Sequence, residues 1–436
     1  MKKLRYNFWL PFCLLLACTS SGDKKVVVQP EVLHQMQSYL TDIIVYDIFS
    51  PPVASRIYAY TSLAAHEAVR HLDTVEKSIV EELKDFESLP EPEAGKEYDF
   101  VFASAVAFNS VASQMIFSRD SLEKFSKALY ENHFAGLNEE IRVNSEQFGK
   151  KVAEAILLRS KNDNYKQTRG LDKFYGIKEN GKWQPTAPDY LDATEPNWYK
   201  IKSFLADSSN QFDPGPPINY DESTAGAFHK MNVEVYEVGK QLSAEQKEIA
   251  RFWDDNPFVM EHVGHVMAAS KKQTPGGHWM GIATIACKKS GSGITKVART
   301  YALTAVALFE GFISSFDTKY RYNYVRPITY VNQKIDPKWE PFLQTPPFPE
   351  YTSGHSTITG SAAMVLTNLY GDQFSFVDSS NIRFINMKRN FNSFLQAADE
   401  CSISRLYGGI HYRMSVDKGA EVGRKIGTFI WQKTNR

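Results

Sequence analysis

Three stretches in the last third of this 436-residue chain carry side chains suited to holding a small tetrahedral oxyanion. The first is KYRYNYVRP, in which Lys319 and Arg326 lie seven positions apart. On a continuous helix that spacing is nearly two turns, about 10.5 Å of rise, and it keeps both cations on one face. Pro327 then stops the helix, and three interleaved tyrosines point to a setting less exposed than ordinary charged surface. The second stretch is PPFPEYTSGHSTITGSAAMVL, residues 346–366. Here Ser353 suits a helix cap, Gly354 lets a ligand approach the backbone, and His355 can shuttle a proton near neutral pH. The first NH groups of such a helix lack intrahelical partners and sit at the positive end of its dipole, which favours an anion. The third stretch is SRLYGGIHYRMSVD, with Arg405, a Gly408-Gly409 bend and His411. Taken singly, these features fit a solvated charged face, a plain N-cap and a buried structural histidine. Taken together they make a coherent set. Guanidinium planes bind pairs of oxygens, and lysine adds a point charge. One imidazole can bond the central atom while the other acts as acid or base.

The elements that must position these groups are helical. Apolar periodicity predicts helices over 32–45 and 53–72, separated by Ser50-Pro51-Pro52, with an acidic connection over 73–99. Further helices are expected over 99–118, 121–133 and 138–160. A proline- and aromatic-rich stretch, from GKWQPTAPDYLDATEPNWYKIKSF through QFDPGPPINYD, has no periodicity; so long an irregular segment is functional or wraps the core. Helices resume over 223–255, 258–272, 279–290, 295–324, 355–370 and 380–403, and one runs from about 415 to the C-terminus. Glu310 within 295–324 argues against a membrane span. No run of alternating residues predicts a strand, and no repeat occurs, so the expected fold is all-α and bundle-like.

Composition narrows the function. Hydrophobic residues at 43% and charged residues at 23% describe a soluble globular protein, and Lys+Arg balance Asp+Glu at 50 each. Without a basic surplus, nucleic-acid binding is disfavoured. MKKLRYNFWLPFCLLLAC is laid out as a signal peptide, and Leu15-Leu16-Ala17-Cys18 resembles a bacterial lipobox in which Cys18 takes the lipid. The division expected is therefore a signal peptide over 1–17, a flexible tether over 18–30, a helical region over 31–292 and an oxyanion-binding core over 293–436. The chain is expected in the bacterial cell envelope, lipid-anchored at Cys18. Cys287 and Cys401 can pair in an oxidising compartment, although Cys401 reads as a small buried helical residue.

Other histidines and acids fit less well. In HEAVRH, His66 and His71 are five apart and diverge on a helix, so a zinc-protease site fails. His262, His265 and His278 lack nearby cysteines or a fixed finger spacing, and His278-Trp279 is expected to line the pocket or pack beneath it. Asp254-Asp255 fits paired carboxylates less well than a cap for the turn that follows.

Lys-x6-Arg-Pro, then Ser-Gly-His, then Ser-Arg followed by a histidine resembles the signature of vanadium-dependent haloperoxidases and type 2 phosphatidic acid phosphatases. SPPVASRIYAYTSLAAHEAV, WQPTAPDY…EPNW, EQKEIARFWDD and GGHWMGIA look like segments preceding the core in the bacterial haloperoxidase-like branch. The resemblance implies that Lys319, Arg326, Ser353, Gly354 and Arg405 bind the oxyanion. It implies that His411 bonds vanadium, or attacks phosphorus in the phosphatases, and that His355 is the acid–base histidine. Phe348 stands where the chloroperoxidase type carries phenylalanine. The cofactor implied is vanadate, or none for a phosphatase; the substrates are peroxide and halide, or a phosphate ester. In such peroxidases vanadate binds peroxide and a halide attacks it to give hypohalous acid. Two positions depart from the pattern: Thr352 replaces the common proline, and Ser415 replaces the carboxylate four residues after the last histidine. Asp417 is the nearest candidate for that carboxylate's role. A phosphomonoesterase acting through a phosphohistidine at His411, and an inactive lipoprotein keeping the fold, are the rival expectations.

Overall fold

Proline, capping side chains and left-handed residues punctuate the chain into fifteen α-helices, three short 3-10 helices and two two-stranded sheets among the described residues. The computed structural model describes residues 30–435, apart from 258, 264, 265 and 270 and the side chains of 260–263 and 266–269. The signal peptide, Cys18, the tether before Pro30, His265 and the His262 side chain therefore lie outside the described residues.

Helices α1 (Glu31–Tyr46), α2 (Pro51–Val69), α3 (Phe100–Met115), α4 (Arg119–Phe134) and α5 (Glu139–Lys161) form the first half, with a short α6 (Tyr165–Thr168). Each start has a local cause. Prolines open α2, the Asp99 carboxylate accepts from Phe102 N to start α3, and Asn138 does the same for α5. The stretch predicted as one helix over 223–255 is two, α7 (Ala227–Lys240) and α8 (Ala244–Phe252). A reciprocal Ser243–Gln246 capping box begins the second.

The stretch predicted as helix over 258–272 is instead an antiparallel hairpin, β1 (Met260–Val263) with β2 (Val266–Ala269). Its register pairs Val263 with Val266, a two-residue hairpin spacing with a glycine inside it that a helical count overlooks. Then come α9 (Pro275–Ser290), α10 (Ile294–Tyr322), α11 (Pro327–Lys334) and α12 (Gly354–Tyr370). The expected helix over 380–403 is also corrected. β3 (Phe376–Asp378) pairs with β4 (Arg389–Phe391) around a short α13 (Ile382–Ile385), and only α14 (Phe394–Tyr407) is helical. The cause is local competition: Asp378 Oδ1 accepts from Ser380 N and Oγ, which favours a turn. Helix α15 (Arg413–Thr434) closes the chain.

The 29-residue α10 is the axis of the molecule. It packs on α2 and α9 toward the first half and on α12 and α15 toward the second. Phe309, Leu308 and Val306 are fully buried on it; each such side chain contributes roughly 1.5–3 kcal/mol of apolar transfer. The irregular proline-rich stretch does wrap this axis. Glu310, buried in α10, accepts from Ser203 Oγ, Phe204 N and Leu205 N. Further back, Trp183 N donates to Asn323 O and Val325 N to Gly181 O, which ties the wrap to the residues just after α10. Close approach of α12 and α15 then brings two ends of the site together. A Cβ on Gly423 would lie 2.2 Å from Thr357 O, and one on Gly419 2.8 Å from Ser353 O. Only glycine permits that contact. No described helix is long and apolar enough to cross a membrane. Cys287 and Cys401 are both free and buried, on α9 and α14.

Candidate active site

Lys319 and Arg326 do not share a helix face. Helix α10 ends at Tyr322, Asn323 takes a left-handed conformation (φ 48°), and Arg326 is the extended N-cap residue of α11. Both are nevertheless fully buried and reach one place. Lys319 Nζ donates to the carbonyls of Pro349 (2.9 Å), Glu350 (3.0 Å) and Thr352 (2.6 Å), so all three of its protons shape the loop before α12. Burial and the neighbouring Arg326 push its pKa well down. Arg326 donates through Nε to Phe348 O (3.0 Å) and through Nη1 to Ile410 O (2.7 Å), with Nη1 also 3.2 Å from His411 Nε2. Burial pushes its pKa down to about 10. Its Nη2 is buried and finds no acceptor among the described residues. Phe348 lies under both cations, its ring 5.0 Å from Lys319 Nζ and 5.2 Å from Arg326 Cζ.

Ser353 caps α12. Its Oγ accepts from Ser356 N (3.3 Å) and Ser356 Oγ (2.8 Å), which leaves its own proton to donate elsewhere. Gly354 opens the helix beside Lys319, whose Cε would lie 3.6 Å from an added Cβ. His355 follows, with Nε2 3.5 Å from Arg405 Nη1. Burial and then the Arg405 charge hold its pKa well below the usual histidine value. Arg405, on α14, also donates to Trp253 O (2.8 Å) and Ser404 Oγ (3.0 Å). His411 follows the Gly408-Gly409 bend. Gly409 has φ 73°, and a Cβ there would meet Pro341 Cβ at 3.0 Å, so the bend needs glycine for both conformation and space.

The carboxylate on His411 is Glu350. His411 Nδ1 donates to Glu350 Oε1 at 2.7 Å, and Tyr412 N donates to the same oxygen at 3.0 Å. This leaves Nε2 as the bare nitrogen facing Arg326, which fixes the tautomer. Burial followed by the nearby arginines and lysine keeps His411 neutral, its pKa well below the ordinary value. Burial raises the Glu350 carboxyl to about 7, against the pull of Arg326 and Lys319. Asp417 does not take this role: it is exposed on α15. Ser415 is fully buried, its Oγ and Glu350 Oε2 both lack a hydrogen-bond partner among the described residues, and its carbonyl accepts from Ser353 N at 3.1 Å. Sequence reading missed Glu350, because it sits in an aperiodic proline-rich loop 61 residues before His411.

A second cluster adjoins the first. His278 is fully buried, with Nδ1 2.8 Å from Asp255 Oδ2 and Nε2 2.9 Å from Asp378 Oδ2. Asp255 is thus an ion partner and not a cap, while Asp254 pairs with Lys272. His66 likewise sits between Glu67 (3.1 Å) and Glu76 (3.0 Å) in a buried network, away from the site. The two aspartates outweigh burial and raise His278 to about 10. The folded pKa exceeds the unfolded value near 6.5, so this contribution to stability is complete below pH ~6.5 and is lost as pH rises through about 10. Thermal melts of wild type and His278→Gln are therefore expected to differ most below pH ~6.5 and to converge toward pH ~10.

Seven residues, from α10, the N-caps and first turns of α11 and α12, α14 and the turn before α15, are thus brought near one another, as donors beside two imidazoles. Residues 299–436 match the family described as the VCPO second helical-bundle domain. A bacterial vanadium-dependent iodoperoxidase of known structure is similar at 44% identity with a TM-score of 0.88, over 93% of this chain and 97% of that chain. The holo and apo structures of a bacterial vanadium-dependent chloroperoxidase share the fold, with TM-scores of 0.70 and 0.69 at 16% identity; each alignment covers 89% of this chain, and 93% and 94% of theirs. No curated protein matches the chain. Identity at that level over nearly the whole length, joined to the convergent donors, settles the assignment: the chain belongs to the vanadium-dependent haloperoxidase family.

Proposed function

We propose that the protein is a vanadate-dependent haloperoxidase that oxidises iodide with hydrogen peroxide. The observation that carries this is the Arg326 Nη2, a buried guanidinium NH with no acceptor among the described residues, on a guanidinium whose Nη1 lies 3.2 Å from the bare Nε2 of His411. A buried donor without a partner costs about 1–3 kcal/mol, and an oxyanion bonded through the imidazole would satisfy it. The rest of the donor set fits the same guest: the Ser353 hydroxyl, the first NH groups of α12 and the Arg405 fork donate, and Lys319 adds charge. Iodide is chosen because the 44%-identical relative is described as an iodoperoxidase.

In this reading His411 Nε2 is the ligand atom, held by Glu350, while Arg326, Arg405, Ser353 and Gly354 hold the oxygens. Vanadate, when bound, supplies a Lewis-acidic centre that activates peroxide toward the halide. The protein aims fixed dipoles and charges at developing negative charge and excludes water. His355, neutral in the buried site, can accept a proton at Nε2 and return it.

The test is reconstitution. Metal-free protein titrated with orthovanadate should gain iodide oxidation in the presence of peroxide, in proportion to bound vanadate, and excess phosphate should suppress it. Hydrolysis of a phosphate monoester by the vanadate-free protein, with no iodide oxidation after loading, would instead establish the phosphohistidine chemistry.

A further inference from the structure

The cluster around His278 offers no donor to the oxyanion, though its charge helps hold the His355 pKa down, and it is built at considerable cost. Three ionisable side chains, His278, Asp255 and Asp378, are buried together and almost completely. Both ring nitrogens face carboxylate oxygens, which only accept, so both nitrogens donate and the ring is an imidazolium. That cation lies flat against Trp253, with ring centroids 4.5 Å apart and planes 20° from parallel. Trp253 is held from its other edge too, through Nε1 to Glu400 Oε1 at 3.1 Å. Asp255 is only two residues further along, and its other oxygen accepts from Asn381 Nδ2 at 3.1 Å. One imidazolium therefore grips a three-residue segment twice, by stacking on Trp253 and by the ion bond to Asp255. Between these two grips lies the Trp253 carbonyl, the acceptor of Arg405 Nη2.

We infer that His278 is a positioning residue for the oxyanion site, clamping the Trp253–Asp255 backbone so that its carbonyl fixes the Arg405 guanidinium for the anion. The inference deepens the proposed function and rests on the oxyanion-binding reading of Arg405. Arg405 has few other restraints: Ser404 Oγ on Nε and the long 3.5 Å approach to His355. A guanidinium free to rotate loses the planar match to two oxygens, although it keeps its charge. His278 is thus tied to the geometry of the anion's donors through Arg405 alone, its charge on His355 being the same in either Arg405 background, which makes the clamp separable from a general structural role.

The test is a double-mutant cycle on the full chain, read as dissociation constants for inorganic phosphate and orthovanadate by titration calorimetry, with circular dichroism as the check on folding. His278→Gln alone is expected to weaken both anions about 10-fold, the order seen when an outer-shell partner is lost. In an Arg405→Lys background, where the fork is already gone, the same change is expected to cost less than about 2-fold. If His278→Gln fails to fold, Asp255→Asn, which cuts the charge on the same grip but keeps an acceptor, is carried through the same cycle with the same expectation in direction. Equal losses in both backgrounds, or no loss in the wild-type background, overturn the clamp while leaving the oxyanion reading intact. Wild type that binds neither anion overturns that reading and this inference with it.

Discussion

Glu350→Gln is expected to weaken vanadate binding by roughly 10–100-fold while leaving the fold in place, the range typical when a metal-ligand histidine loses its outer carboxylate. Gln keeps the size of Glu350 and an oxygen for His411 Nδ1 and Tyr412 N, so the loss isolates the carboxylate charge that raises the basicity of Nε2. The stronger test moves the carboxylate. The family pattern places it four residues after the histidine, at the position filled here by Ser415, whose buried side chain is near enough to Glu350 to lower its pKa. In Glu350→Gln, adding Ser415→Asp should restore most of the lost affinity. In the wild-type background the same Ser415→Asp buries a second carboxylate beside the first, and it should weaken binding and lower the melting temperature. A substitution that reverses sign with its background identifies the two positions as alternative homes for one charge. Vanadate affinity is read by calorimetry or vanadium-51 NMR. Harm from Ser415→Asp in both backgrounds would show that position 415 cannot serve His411.

What the sequence disclosed and concealed follows from the reach of local rules. Ser353-Gly354-His355 was readable because a cap, a flexible residue and an imidazole at a helix start are adjacent in the chain, and the structure has Ser353 capping α12. Lys319 and Arg326 were legible as a spaced pair, but the shared helix face was not there: α10 stops at Tyr322, and pairing of residues 181–183 with 323–325 holds the next segment extended. Periodicity cannot register that pairing, because its partner lies in a stretch without periodicity. The same blindness hid Glu350 and Asp378, and it gave Asp255 the part of a cap. A carboxylate outside any periodic stretch carries no local mark of the histidine it will meet. His278, expected to line the pocket or pack beneath it, does lie next to the site, while His66 sits in its own ion network. The two mispredicted helices failed for a related reason. Apolar content alone does not separate helix from hairpin when turn-forming bonds such as Ser380 N to Asp378 Oδ1 compete.

Arg326→Lys is expected to lower affinity for vanadate or phosphate by about 10²–10³-fold, the scale of losing one preorganised oxyanion donor. The charge survives this change, but the fork does not. Lysine cannot hold Phe348 O and Ile410 O, approach His411 Nε2 and still present a further NH, as the guanidinium does. Lys319→Met provides the contrast. All three Lys319 protons go to loop carbonyls, so its removal leaves Pro349, Glu350 and Thr352 without those donors. At about 1–3 kcal/mol for each buried group left unpaired, the damage falls chiefly on stability. The pair should therefore separate: the larger loss of anion affinity in Arg326→Lys, the larger fall in melting temperature in Lys319→Met. Calorimetric titration and thermal melts on the two purified variants check this. The reverse ranking would mean that the lysine leaves its carbonyls to bind the anion and that the orphaned guanidinium NH is not the chief donor.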